Sequence, residues 1–261
     1  MRLPIYYVDA FAEELFHGNP AAVVTVTECL DAATMQSIAF ENNLSETAFV
    51  NVASTPFLIR WFSPVVEVDL CGHATLASAR ILFDNHLPAD SSQISFSTKR
   101  GALSAVKRDD LIYLDFPAEE PGTEKKNKTL VQALGAKPVE LYRGRDDFLA
   151  VFENEKAIHT MDPDFKLLAK LECRGVIITA PGDQVDFVSR FFAPRTGVPE
   201  DPVTGSTHTL MVPYWAQKTG KTKLAAAQLS QRSGRLYCEL NGSRVFIGGQ
   251  TKKYLQGEIF V

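Results

Sequence analysis

Two short motifs of similar pattern constrain the fold of this chain more than any other feature. Residues 71–76 read CGHATL, and residues 204–210, in the other half of the chain, read TGSTHTL. Each motif has a small polar residue, a glycine, another polar residue and then a run with helical spacing of apolar residues. Two matched elements so far apart indicate a protein built from two similar halves.

Length and composition agree with two soluble halves. A chain of 261 residues suits two domains of about 120 to 130 residues each. The apolar content of 45% is enough for two modest cores, and the net charge of −4 favours neither nucleic acid nor an acidic membrane surface as a partner. No apolar window is long enough to span a membrane, and the first residues lack a signal-peptide pattern. We therefore expect a cytoplasmic protein.

The cysteines and the basic runs predict no special site. Cys29, Cys71, Cys173 and Cys238 are scattered without metal-ligand spacing, so we expect reduced thiols and no structural zinc. The basic pairs at 125–126 and 252–253 are too short to form a phosphate-binding stripe.

The order of predicted elements describes two passes of one plan. Each half has strands, a helix that follows a glycine, and then more strands, which favours an α+β fold over a doubly wound nucleotide fold. The segment 117–128 is typical of a linker because it is rich in proline, glycine and charge. We predict an N-terminal domain over 1–117 and a C-terminal domain over 118–250. Whether a strand over 251–261 joins the first domain is left open.

The two glycines place helix starts where an anion can bind. The first N–H groups of a helix have no intrahelical partner, and the helix dipole adds roughly half a positive charge there. A glycine lets a carboxylate or a developing enolate approach the backbone closely. We predict that the two motifs clamp one anionic substrate in a cleft between the domains. The alternative is that both are plain helix caps.

Three side chains are candidates for acid–base chemistry or for binding. Glu46 lies between a predicted helix and an apolar strand, where desolvation would suit it to general acid–base work. Asp201 lies between two prolines just before the second motif, and His73 belongs to the first motif. The alternatives are a solvent-facing glutamate, a turn aspartate and a structural histidine.

Four stretches taken in order resemble the PhzF-like (phenazine biosynthesis-like) family. They are VDAF with GNPAAVV, ENNLSETAFV, DLCGHATLASA, and FFAPRTGVPEDPVTGSTHTLMVPYW, and the resemblance covers essentially the whole chain. It implies a diaminopimelate-epimerase-like fold with two pseudo-symmetric domains, each a mostly antiparallel sheet wrapped around a central helix. It also implies a homodimer that uses no cofactor and no metal.

The resemblance also implies roles for individual residues. Glu46 corresponds to the acid–base carboxylate of the characterised isomerases, which moves a proton from one substrate carbon to another. The residues implied to bind the substrate, a small anionic metabolite, are Asn19, Ser45, Gly72, His73, Asp201, Gly205 and Ser206. The best-known activity is the isomerisation of trans-2,3-dihydro-3-hydroxyanthranilate, but the motifs do not carry the substrate with them.

The pair Cys71 and Thr204 separates this chain from the epimerases that share the fold. Those enzymes use two thiols as base and acid, whereas the second position here is a hydroxyl, whose pKa is far too high for that work. We therefore expect an isomerase in which Glu46 is the single base. The alternatives are a non-catalytic protein that binds a small molecule or another protein, and an epimerase or racemase that uses Cys71.

Overall fold

The computed structural model describes residues 1–28, 30–124 and 127–261. Cys29 and the basic pair at 125–126, for which the sequence predicts a reduced thiol and a solvated surface, lie outside this part. The chain divides into two compact units, one of residues 1–115 with 248–261 and one of residues 116–247. The domain limits derived from the sequence stay a prediction.

The first unit is a sheet with two helices. Strands are numbered along the chain, and this unit contains β1 (Arg2–Ala10), β2 (Asn19–Val26), β3 (Glu46–Asn51), β4 (Phe57–Phe62), β5 (Glu67–Val68), β6 (Gln93–Thr98), β7 (Gly101–Arg108), β8 (Leu111–Pro117) and the C-terminal β18 (Thr251–Phe260). Its helices are α1 (Ala32–Asn42) and α2 (Gly72–Asn85). The side chain of Asp31 accepts from the Thr34 N–H and so caps α1, as its position before an apolar helical pattern predicts.

The strands of the first unit lie in the order β18, β1, β2, β3, β4, β6, β7, β8. The pairs β2–β3 and β4–β6 are parallel, while the other pairs are antiparallel. The short strand β5 lies antiparallel to the end of β4. Each parallel pair needs a crossover, and these are supplied by α1 and α2.

The two helices pack on opposite faces of this sheet. On the face of the sheet that α1 covers, an apolar cluster includes Ala22, Val24 and Phe49. Alternate residues such as Val23 and Ala48 are fully buried on the other face, where α2 packs against β1, β2 and β3. Every residue of α2 from Gly72 to Ala79 is buried, and most are small. Small side chains allow this central helix to be enclosed closely by the sheet.

The second unit has more helices and a similar sheet. Its strands are β9 (Gly122–Thr123), β10 (Glu140–Arg143), β11 (Asp147–Val151), β12 (Gly175–Pro181), β13 (Phe187–Ala193), β14 (Val198–Asp201), β15 (Lys223–Gln228), β16 (Gly234–Asn241) and β17 (Arg244–Gly249). Its helices are α3 (Lys128–Leu134), α4 (Glu155–His159), α5 (Phe165–Leu168) and α6 (His208–Thr219), with a 3-10 turn at Pro194–Thr196.

The pairing pattern of the second unit repeats that of the first. The order β10, β11, β12, β13, β15, β16 alternates antiparallel and parallel pairs, just as the order β1, β2, β3, β4, β6, β7 does. The short strand β14 lies beside β13 as β5 lies beside β4. In each unit the motif helix, α2 or α6, follows that short strand. The predicted α+β fold with two similar halves is confirmed.

The sequence missed the shortest elements. Strands β5, β9 and β14 and helix α4 have two to five residues, too few to show a period of two or of 3.6. Helix α5 ends at Leu168, three residues earlier than its apolar pattern suggests. None of the helices in the described ranges has the length and apolar character needed to cross a membrane.

Candidate active site

The start of the parallel pair β2–β3 places two predicted site residues together. Glu46 is the first residue of β3 and pairs with Ala21 of β2, while Asn19 is the first residue of β2. Side chains alternate along a strand, so Asn19, Ala21 and Glu46 all project to the face that carries α2. Asn19 is fully buried, and Ser45, just before the strand, is half-buried. Three predicted residues thus lie at one end of the sheet.

The first motif begins α2 against this end of the sheet. Cys71 is the N-cap residue with an extended backbone, Gly72 is the first helical residue, and the Thr75 N–H donates to the Cys71 carbonyl. The N–H groups of the first helical turn have no partner inside the helix and are available to an anion. The predicted glycine-led helix start is therefore present at Gly72.

His73 connects a thiol and a carboxylate. Its Nε2 lies 3.2 Å from Glu46 Oε2, and its Nδ1 lies 3.6 Å from Cys71 Sγ. The contact with Glu46 has the distance of an ion pair, although the ring N–H does not point at the carboxylate well enough for a hydrogen bond. The sequence named all three residues, and the structure brings them together within the first unit.

Burial decides the protonation state of His73. The ring is 5% exposed, and this desolvation lowers its pKa to about 3, so the ring is neutral at physiological pH. A neutral ring with its proton on Nε2 can face the carboxylate and accept the Cys71 S–H at Nδ1. The Glu46 side chain remains 20% exposed and can therefore reach a bound ligand.

The same three side chains have the chemistry of a metal-ligand set. One possible ligand atom from each of Glu46, Cys71 and His73 lies within 4.8 Å of the other two. A carboxylate, a thiolate and an imidazole together form a set that zinc prefers.

The second motif is organised by Asp201 and Gln228. Asp201 ends β14, and its Oδ2 accepts a hydrogen bond from Thr204 Oγ1. Gln228 Oε1 accepts from the Thr204 N–H at 2.9 Å, and Gln228 Nε2 donates to the Asp201 carbonyl at 2.8 Å. This amide therefore holds both ends of the turn between Asp201 and Thr204.

Gly205 differs from Gly72 in its relation to the helix. Helix α6 begins at His208, three residues after Gly205, whereas α2 begins at Gly72 itself. The sequence predicts this second helix over 207–217, so its start is correct to within one residue. The N–H groups of His208 and Thr209 donate to the carbonyls of Gly205 and Ser206, which forms a tighter turn before the helix. Backbone donors for a ligand would come from the turn itself.

Arg174 and Asp147 extend the second motif. Arg174 Nη1 donates to Ser206 Oγ at 3.0 Å, and its Nε and Nη2 donate to the two oxygens of Asp147, the Nε bond at 2.9 Å. Asp147 is buried and Arg174 is half-exposed. Ser206 is thus held by a guanidinium that a buried carboxylate orients.

His208 is the buried counterpart of His73 in the second motif. It is fully buried, and its Nδ1 lies 2.9 Å from the Thr204 carbonyl. Burial lowers its pKa to about 4, so this ring is also neutral at physiological pH. Its surroundings are apolar rings, including Phe187, and they make it a structural residue of α6.

A family model described as phenazine biosynthesis-like protein matches residues 8–258. The chain belongs to the PhzF-like family. It is 48% identical over 259 residues to an uncharacterised isomerase of Pseudomonas aeruginosa, with 99% of each chain covered. It is also similar to the crystal structure of a PhzF-family protein of Enterococcus faecalis, at 45% identity and a TM-score of 0.96 over 100% of both chains.

More distant structures share only the fold. A hydroxyproline epimerase of Agrobacterium vitis, 10% identical, superposes with a TM-score of 0.63 and covers 99% of this chain and 92% of that one. The α+β architecture of this PhzF-like protein is therefore that of epimerases and racemases, and its relatives place it in a family of isomerases.

Sequence reasoning missed Asp147, Arg174 and Gln228. Asp147 begins β11, Gln228 ends β15 and Arg174 directly precedes β12, positions that many polar surface residues share. Only the pairing of β11 with β12 and of β13 with β15 brings them to the second motif. A charged residue directly before the apolar run of β12 was the one signal that could have drawn attention to Arg174.

Two surface grooves lie apart from these residues. One of about 800 Å³ runs between α1 and the end of β18, and one of about 500 Å³ lies along α3. Their described linings contain none of the predicted site residues, so the site is assigned from its chemistry and not from the size of a cavity.

Proposed function

We propose that this protein is a cofactor-independent isomerase that shifts a proton on a small, carboxylate-bearing metabolite, with Glu46 as the general acid and base. The supporting observation is the position of the Glu46 carboxylate. It lies 3.2 Å from the neutral, buried ring of His73 and is still partly open to a ligand. The neutral ring adds no positive charge beside the carboxylate, and this surrounding suits Glu46 to general acid–base work.

The proposed reaction needs only one base. Glu46 removes a proton from one carbon of the substrate, and the electron pair moves into the adjacent unsaturated system. The protonated Glu46 then returns the same proton to another carbon, so the substrate changes its double-bond position without any change in oxidation state. The N–H groups at the start of α2, including that of Gly72, would stabilise the negative charge that forms in between.

The substrate-binding roles in this proposal are those that the family resemblance implies. Ser45, Asn19 and His73 would bind the substrate beside Glu46. Asp201 and Ser206 would supply hydrogen bonds from the second motif. Gly205 would supply a backbone donor from the turn of that motif. The Arg174–Asp147 pair supports this role, because it fixes the Ser206 hydroxyl in one orientation.

The test is Glu46→Gln with Glu41→Gln as its matched control. Glu41 is an exposed carboxyl on α1, five residues earlier. Both variants and the parent protein are incubated in D2O with trans-2,3-dihydro-3-hydroxyanthranilate and a panel of unsaturated amino and hydroxy acids, and products are followed by NMR. We expect turnover in the parent and in Glu41→Gln and a loss on the order of 10²–10⁴-fold in Glu46→Gln. Turnover at the parent rate in Glu46→Gln would remove Glu46 from this role.

An epimerase that uses Cys71 is the second candidate, because Cys71 Sγ lies 3.6 Å from a ring nitrogen that can accept a hydrogen bond from the thiol. The position of deuterium separates the two reactions. Epimerisation exchanges deuterium at one stereocentre without moving a double bond, and Cys71→Ser abolishes it. Proton shift by Glu46 gives a rearranged product, and Cys71→Ser then costs at most about ten-fold, as expected for a residue that only contacts His73.

A binding protein without catalysis would bind members of the same panel and turn none over. Thermal shifts measure this directly, because an occupied site raises the melting temperature. We also propose that the protein is cytoplasmic and forms a homodimer, as the family resemblance implies. Light scattering should then give twice the chain mass of 28.8 kDa.

A further inference from the structure

We propose that Glu46, Cys71 and His73 form a binding site for a thiophilic divalent cation of the Zn²⁺ class, and that the cation blocks the acid–base carboxylate when it is bound. The juxtaposition of a carboxylate, a thiol and an imidazole at the start of α2 carries this inference. Its effect on turnover rests on the proposed function, whereas cation binding itself does not.

The distances suit a small tetrahedral ion. Zinc binds sulfur at about 2.3 Å and nitrogen or oxygen at about 2.0–2.2 Å, so two ligand atoms on one tetrahedral ion lie roughly 3.3–3.7 Å apart. Cys71 Sγ and His73 Nδ1, which are 3.6 Å apart, already have this separation. One ligand atom from each residue lies within 4.8 Å of the other two. The Glu46 carboxylate lies 3.2 Å from the other ring nitrogen, Nε2, so its side chain has to rotate towards Nδ1 to complete the set.

The partial exposure of Glu46 allows that movement. Cys71 and His73 are buried on the rigid helix α2, while the Glu46 side chain is 20% exposed and can rotate towards them. Three protein ligands with an open fourth position are the arrangement of zinc sites that bind water or a substrate. A thiolate ligand selects zinc-like ions over Mg²⁺ and Ca²⁺, which prefer oxygen ligands.

Binding has a chemical consequence for the site. The Cys71 S–H loses its proton to solvent when the thiolate binds the cation, and the Glu46 carboxylate gives up its electron pair to the same ion. A carboxylate held by a cation cannot accept a proton from carbon. Micromolar zinc should therefore inhibit turnover, and a chelator should restore it.

Cobalt(II) titration of chelator-treated protein tests the site without any substrate. We expect a near-ultraviolet thiolate-to-cobalt charge-transfer band, a visible band with the intensity of a four-coordinate ion, and loss of both bands when zinc displaces cobalt. Cys71→Ser should remove the charge-transfer band. Glu46→Gln and His73→Gln should each weaken cobalt binding at least ten-fold.

Cys173→Ser is the matched control, since Cys173 is a half-buried free thiol in the other unit. It should keep the full spectrum, and thermal melts show that each variant is folded. The proposal is overturned if the parent protein shows no charge-transfer band. It is also overturned if the band is kept in Cys71→Ser and lost in Cys173→Ser. The cobalt spectrum and the turnover assay test different proposals. A parent protein without a cobalt site can still be an isomerase, and a protein without turnover can still bind the cation.

Discussion

The two motifs have similar sequences but different local chemistry. At the first motif, the His73 ring lies 3.2 Å from the Glu46 carboxylate and 3.6 Å from the Cys71 thiol, so three titratable groups meet there. At the second, Thr204 donates to the Asp201 carboxylate, and Ser206 accepts from the permanently charged Arg174. The repeated fold therefore carries different side-chain chemistry at its two motifs.

The largest expected effect contrasts one carboxylate from each motif. Glu46→Gln should lower kcat by about 10²–10⁴-fold, because it removes the base itself. Asp201→Asn should mainly raise KM, by about 10- to 100-fold, because it weakens hydrogen bonds to a charged group. Steady-state kinetics on the identified substrate measure both. A kcat loss in Asp201→Asn as large as that in Glu46→Gln would contradict the division of roles.

The pH dependence of stability tests the buried histidines. Burial lowers the folded-state pKa of His208 to about 4, below its unfolded value of about 6.5. Above pH 6.5 both states are neutral. As the pH falls towards 4 only the unfolded state gains the proton, so the folded state loses about 3 kcal/mol.

His208→Asn keeps a donor for the Thr204 carbonyl and removes this titration. Urea unfolding at pH 7 and pH 4.5 should show a smaller loss of stability in the variant than in the parent, by about 2–3 kcal/mol. Equal losses in the two proteins would mean that His208 is protonated in the folded state.

The ion pair beneath the second motif should matter more than an exposed pair. Asp147→Asn leaves the half-exposed Arg174 guanidinium without its buried partner, and should cost about 1–3 kcal/mol of unfolding free energy. The control is Asp69→Asn, which breaks the exposed pair between Asp69 and Arg100 and should cost less than about 1 kcal/mol. Denaturant midpoints measure both, and similar losses would show that the Arg174 pair is effectively solvated.

The smallest expected effect concerns helix capping. Asp31 caps α1 with its side chain, whereas Cys71, the N-cap residue of α2, does not cap that helix with its side chain. Asp31→Ala should cost about 1 kcal/mol, while Cys71→Ser should be neutral or stabilise by a few tenths of a kcal/mol, because serine is a favoured N-cap residue. Melting temperatures compare the two. A clear destabilisation by Cys71→Ser would show that the thiol contributes to packing or to the contact with His73.

The longer elements could be predicted because local patterns dictate them. Strands β2 and β4 and helices α1 and α2 follow from apolar periodicity, and Asp31 caps α1 as its place before an apolar helical pattern predicts. The two-residue strands β5 and β9 could not be predicted, because they form only where a neighbouring strand happens to offer a partner. The turn between Gly205 and α6 has no apolar periodicity of its own, so its hydrogen bonds could not be read from the sequence.

By itself, the sequence determined the repeated α+β plan and the family, and it named Glu46, His73 and Asp201 as candidate site residues. Those conclusions depend on residue order and on local periodicity, which a single chain displays. Only the tertiary structure decided that His73 is neutral, that it lies between Cys71 and Glu46, and that Arg174 supports Ser206. Protonation depends on burial, and these contacts depend on strand pairing between distant segments, so neither can be read from residues that are neighbours along the chain.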